Sequence, residues 1–162
     1  MRVLLDNTVL TNYAQVGRPH IVSDIWGEMI CTTPEVLAEY AAGTMTGVVP
    51  DGVWDTLQSV ALSTEEHQFA LSLPSRLGSG ERSCLAVAVY RGWLFVSDDA
   101  DARLIANRLG VPITGTLGIL IRAVKEGVIS FDTAEGLLQA MIAYGYHTPV
   151  QTLSNLIPPV AV

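Results

Sequence analysis

Five acidic side chains stand where chemistry is usually done: Asp6, Glu39, Glu81, Asp98 and Asp99. Asp6 closes the apolar run VLL, and Asp98 with Asp99 closes WLFVS. Glu39 falls inside an expected helix and Glu81 at the start of another. Carboxylates brought together without cations raise one another's pKa and oppose folding. A divalent metal removes that conflict. Hard oxygen donors without His or Cys suit Mg²⁺ or Mn²⁺, which keep several waters and take few carboxylates directly. The usual work of such a site is phosphodiester hydrolysis, where the ion activates water and neutralises charge developing on the phosphate.

Each acid alone has a plainer reading. An Asp at a strand end is commonly a turn former or helix N-cap, and Asp99 has the position to cap the helix that carries Arg103. Glu35 and Glu81 sit in first turns, where a carboxylate meets the helix dipole. Arg103, four residues after Asp99, is placed to steady it or to meet phosphate. Only the combination of acids points to a metal.

Other chemistries find little support. Cys31 and Cys84 belong to no CxxC or Cys/His pattern and read as small buried hydrophobes. His20, His67 and His147 are scattered, so neither a histidine ligand set nor a Ser/His/Asp triad emerges. A haloacid-dehalogenase-type phosphatase needs a second Asp two residues after the first, where Thr8 stands. The net charge of −7 opposes a large basic nucleic-acid face, although bound metal reverses the sign locally. Eight of the nine basic residues are Arg, the side chain shaped for forked contacts, and Arg82, Arg91, Arg103 and Arg108 fall in the central third.

The elements that must position these acids alternate. RVLLD, a strand within MICTT, LQSVALS, WLFVS and VPIT read as strands. Helices are expected over NTVLTNYAQVG, IVSDIWGE, the segment from Pro34 to a stop at Gly43, EEHQFALSL, GSGERSCLAVAVYRG, DADARLIANRLG, GTLGILIRAVKEG and FDTAEGLLQAMIAYG. LIPPVAV reads as a tail. This alternation implies an α/β sandwich with a mainly parallel sheet, whose functional crevice lies beyond the carboxyl ends of the strands. The 162 residues are enough for one domain, 1–162, with a real core. No apolar run reaches the roughly 18 residues of a membrane span, and MRVLLD reads as a strand and not a signal peptide, so a cytoplasmic protein is expected.

In this order, the residues resemble the PIN domain, the VapC-like ribonuclease fold. LLDNTVLTNY is similar to its opening strand, acid and following Ser/Thr, and TTPEVLAEY to its P-x-V-x-x-E segment. GSGERSCLAVAVYRG resembles the Gly-Glu helix of one PIN-like subgroup, and FVSDDADARLIANRLGVPITGTLGIL its DD…R…GTLG signature. The likeness runs from residue 2 to about residue 127, some three quarters of the chain. It implies a three-layer α/β/α sandwich and a Mg²⁺- or Mn²⁺-dependent endoribonuclease. Asp6, Glu39, Glu81 and Asp98 or Asp99 carry over as catalytic metal ligands, with Asp99 favoured. Thr8 would orient Asp6, and Asn12 matches a polar position of the subgroup. The resemblance further implies the toxin of a toxin–antitoxin pair, a homodimer neutralised by a small antitoxin protein, with RNA as substrate. A catalytically inactive scaffold that binds a protein or RNA is the alternative.

Overall fold

In chain order the computed structural model, which describes residues 1–157, begins with β1 (Val3–Leu5), α1 (Asn7–Gln15), α2 (His20–Trp26), β2 (Ile30–Thr32) and α3 (Pro34–Met45). It continues with β3 (Gln58–Ser59), α4 (Thr64–Ser72), α5 (Ser79–Arg91), β4 (Leu94–Val96), α6 (Ala100–Arg108), β5 (Ile113–Thr114), α7 (Thr116–Lys125) and α8 (Phe131–Ala143). The strands form a parallel sheet in the order β3-β2-β1-β4-β5, as the alternation of elements requires. Helices flank the sheet to give the three-layer α/β/α sandwich expected of a PIN-like fold. β1 is central, and all three of its residues are buried. That explains an unbroken apolar run where a half-solvated strand would alternate.

The sheet's order puts two acidic strand ends side by side. Val3, Leu4 and Leu5 pair with Leu94, Phe95 and Val96, so Asp6 and Ser97 leave the sheet at the same edge. The Asp6 N–H donates to the Val96 carbonyl at 3.0 Å and fixes the register up to the acid itself. α5 packs against α3, α4 and α6, which brings its N-terminal turn to α3.

Local signals account for most boundaries. Thr33 caps α3 with Pro34 at its first position, and Ser63 with Glu66 forms a reciprocal capping box on α4. Gly92, at φ 65°, ends α5 in the left-handed conformation that glycine adopts without a Cβ penalty.

Two expectations are corrected. Gly43 does not stop α3, which runs on to Met45; its missing side chain serves a close approach, because a Cβ there would lie 3.1 Å from Val49 Cγ2. LQSVALS yields only the two-residue edge strand β3. The N-cap of α7 is Gly115, which has no side chain to offer, and Thr116 is the first helical residue. The expected tail LIPPVAV lies largely at 158–162, outside the described residues.

No helix among the described residues is long and apolar enough to cross a membrane. Cys31 and Cys84 are buried free thiols. The apolar stretches LIRAV and LLQAMIAYG place Leu120, Ala123, Leu138 and Met141 in the core.

Candidate active site

Asp6 is fully buried where β1 gives way to α1. Its Oδ1 accepts from the Asn7 N–H at 2.7 Å, and its Oδ2 accepts from the Ser97 hydroxyl at 2.7 Å and the Thr8 hydroxyl at 3.3 Å. The Thr8 hydroxyl thus donates to the Asp6 carboxylate. Thr8 Oγ1 also accepts from the Asp98 N–H at 3.1 Å, tying the two strand ends together. Burial, then the negative charge of Glu81, push the Asp6 carboxyl from its ordinary 3.8 up to about 7, against the Ser97 and Asn7 hydrogen bonds. The charge of Glu39 adds to the rise.

Glu39 comes from the middle of α3 and meets the start of α5. Its Oε1 accepts from the Gly80 N–H at 2.8 Å and the Ser79 hydroxyl at 3.3 Å. Glu81, in the first turn of α5, curls back over Gly78. A Cβ on Gly78 would lie 2.5 Å from Glu81 Oε2 and 3.4 Å from Glu39 Oε1, so both carboxylates flank one point. A Cβ on Gly80 would come within 2.6 Å of Glu39 Oε2. Glycine at both positions makes room for carboxylate oxygens. Burial, then the charges of Glu39 and Asp99, raise the pKa of Glu81 above the ordinary carboxylate value.

The adjacent acids Asp98 and Asp99 part company. Asp99 caps α6, its Oδ1 accepting from the Ala102 N–H at 2.7 Å, while its charge is felt by Glu81. Asp98 points to α7. Its Oδ1 accepts from the Thr116 N–H at 2.8 Å, and its Oδ2 accepts from the Thr116 hydroxyl at 2.6 Å and Asn12 Nδ2 at 3.1 Å. Asp98 therefore caps α7 from outside the helix, which is why Gly115 suffices at the N-cap. The N–H of Thr116 in the GTLG turn thus already holds a carboxylate. A Cβ on Gly115 would sit 2.5 Å from Asp98 Oδ1. Burial raises the Asp98 carboxyl above its ordinary value, and the Thr116 donors oppose the rise.

Arg103 is also redirected. Asp99 Oδ1 is committed to its cap, and Arg103 Nη1 donates instead to the Ser97 carbonyl at 2.9 Å. Asn12 gains a definite place, bridging Asp98 and Thr116. Ser97 escaped the sequence reading. It is buried, and its hydroxyl joins Asp6 Oδ2 to the Asp99 N–H. The signal available was a lone hydroxyl residue between an apolar strand and two acids.

Asp6, Glu39, Glu81 and Asp99 thus gather at one corner, linked by mutual repulsion, and Asp98 stands aside. The ion pairs among the described residues are Arg76–Asp101, Arg91–Glu66 and Arg122–Glu126, so no basic side chain neutralises the four. Among the described residues, no three His, Cys, Asp or Glu side chains stand close enough to grip one ion in this conformation. The donor set nonetheless fits a hard divalent cation in kind: all oxygen, unpaired with guanidinium, and given room by two glycines. A cavity of about 650 Å³ opens beside Ile30 and Gln58 at the opposite end of β2 and β3, away from these four acids.

The family model DUF3368, described as a PIN domain, matches residues 2–160. No curated protein and no solved structure gives a significant match to the chain.

Proposed function

The chain belongs to the PIN domain family, whose members are generally nucleases that use divalent metals, and from that premise we propose that it is a metal-dependent ribonuclease acting on RNA phosphodiester bonds. Asp6, Glu39, Glu81 and Asp99 would hold Mg²⁺ or Mn²⁺. The observation that carries the reading is the gathering of these acids without a basic partner, at a corner where burial and like charge already lift Asp6 to about 7.

A cation bound there would lower the pKa of a coordinated water and offset charge on the phosphate. The chain's own contribution is positional. Ser97, Thr8 and the Asn7 N–H fix the Asp6 carboxylate in one orientation. The α5 N-terminus fixes Glu39 through Gly80 and Ser79. The α6 cap fixes one oxygen of Asp99 and leaves Oδ2 without a protein donor among the described residues. Asp98 is assigned to holding α7 and not to the metal.

As part of the same proposal, the enzyme is the toxin of a toxin–antitoxin pair and works as a homodimer in the cytoplasm, with a small antitoxin protein as its partner. A second reading, an inactive PIN-like scaffold, draws support from the net charge of −7 and from the separation of the acids in this conformation.

One pair of measurements decides between the readings. Purified protein should cleave single-stranded RNA with Mn²⁺, and Asp6→Asn and Glu81→Gln should each abolish both cleavage and calorimetric Mn²⁺ binding. Equal cleavage by wild type and variants would sink the nuclease reading. Absence of any Asp6-dependent Mn²⁺ binding would establish the scaffold.

A further inference from the structure

A second cavity, about 230 Å³, adjoins the acidic corner on the far side of Asp98. Its polar lining includes Asp98, Arg103 and Tyr146, and its apolar walls include Leu117, Ile121 and Pro149. Its size is below the roughly 300–1,000 Å³ of sites for drug-sized ligands, so it suits one nucleobase better than a whole nucleotide.

The charges inside select what it takes. Arg103 uses Nη1 on the Ser97 carbonyl, and its Nε and Nη2 have no partner among the described residues. Nε and Nη2 lie on one side of a guanidinium and can act as a fork, and Arg103 lines the cavity. A phosphate would answer the fork but would also face the Asp98 carboxylate. A neutral base avoids that repulsion. Guanine presents O6 and N7 as a pair of acceptors to an arginine fork, whereas adenine places an amino donor beside N7. Guanine also carries N–H donors for a carboxylate. On Asp98 the weakest contact is Tyr146, whose hydroxyl stands 3.5 Å from Oδ1, which makes it the bond that yields to an incoming donor.

We propose that this cavity is a guanine-binding pocket, which seats the base of a substrate nucleotide next to the phosphodiester being cut. The RNA context rests on the nuclease reading above; the recognition of the base does not. Tyr146 and Pro149 come from the chain after α8, so the C-terminal segment completes the pocket.

The test separates the two proposals. Guanosine, which carries no phosphate, is titrated into the full chain without metal while the methyl resonances of Leu117 and Ile121 are followed. Saturable shifts are expected with guanosine, with adenosine and uridine roughly tenfold weaker or more. Arg103→Lys should erase that discrimination, because an ammonium offers no planar fork. Ile121→Trp should abolish the shifts of the remaining Leu117 methyls by filling the cavity, with its far-ultraviolet spectrum reporting that it folds. In parallel, a single-stranded oligoribonucleotide containing one guanosine is cut with Mn²⁺, beside versions carrying inosine or 7-deazaguanosine there. Cutting next to guanosine and inosine but not next to the 7-deaza base supports the pocket, since only the last lacks N7. Guanosine binding without cleavage of any RNA supports the pocket and sinks the nuclease. Cleavage indifferent to the base, equal binding of guanosine and adenosine, no saturable shift, or the same shifts from inorganic phosphate overturns the pocket.

Discussion

Asp6 shows how a single side chain makes the apoprotein pay for its site. Its carboxyl titrates at about 7 in the fold against an ordinary 3.8, because burial penalises its charged form. A raised acid favours the folded state fully below its unfolded pKa, and that contribution is lost as pH rises through about 7. The difference corresponds to about 4 kcal/mol at most. Asp6→Asn removes the penalty, although its amide suits Ser97 and Thr8 less well. Without metal, thermal unfolding at pH 8 should therefore show the variant more stable by roughly 5 °C, with the gain vanishing near pH 4. A variant equally destabilised at both pH values would show that the carboxylate is held by the fold at no electrostatic cost. The neighbouring acids invite a paired comparison. Asp99→Asn keeps a good helix cap, so its stability should stay within about 0.5 kcal/mol of wild type while Mn²⁺ affinity falls. Asp98→Asn sets an amide against the donors of Thr116 and Asn12, so chemical denaturation should register a loss of roughly 1–3 kcal/mol with Mn²⁺ affinity retained.

At the scale of elements, the corner depends on how closely α3 and α5 approach. Gly80 is the closest point: a Cβ there would lie 2.6 Å from Glu39 Oε2 and 3.0 Å from Val36 Cγ2. Glu39 is flexible at its tip, but the buried Val36 is not free to retreat. Gly80→Ala should thus cost roughly 1–3 kcal/mol by overpacking and unseat Glu39 from the Gly80 N–H. Denaturation midpoints and Mn²⁺ titration would both record it, whereas an unchanged midpoint would mean the helices separate freely. The same elements show what the sequence could tell. Caps and stops are local, so Thr33-Pro34 and Gly92 revealed helix ends directly, whereas the equally local box of Ser63 and Glu66 went unread. Apolar runs closed by acids located β1 and β4, and parallel pairing then set Asp6 beside Ser97. Gly43 misled because a glycine required for a neighbour's approach looks the same in sequence as one required for a turn. The division of labour between Asp98 and Asp99 was equally hidden. It depends on Thr116 and Asn12, which lie 18 and 86 residues from Asp98.

Taken as a whole, the molecule carries a net charge of −7 and gathers four of its acids, one of them buried, beyond the carboxyl ends of its central strands. Anything that binds the native state and not the unfolded chain stabilises it by mass action, and a cation at this corner also relieves the repulsion that raises Asp6 and Glu81. Protons compete for the same oxygens. The stabilisation by Mn²⁺ should therefore depend on pH in the sense opposite to that of the apoprotein. Below pH 5 the Asp6 carboxyl is protonated, and little metal binds. At pH 8 it is ionised, and Mn²⁺ at 100 times its dissociation constant should contribute about 2.7 kcal/mol, or roughly 5–10 °C in unfolding temperature for a chain of this length. Calcium-free buffers with Mn²⁺ or Mg²⁺, scanned at both pH values for wild type and Asp6→Asn, make the comparison. A metal-induced rise that is the same at pH 5 and pH 8, or that survives in Asp6→Asn, would place the cation on the acidic surface at large. A rise confined to the wild type at pH 8 ties it to the corner where Asp6 and Glu81 resist ionisation.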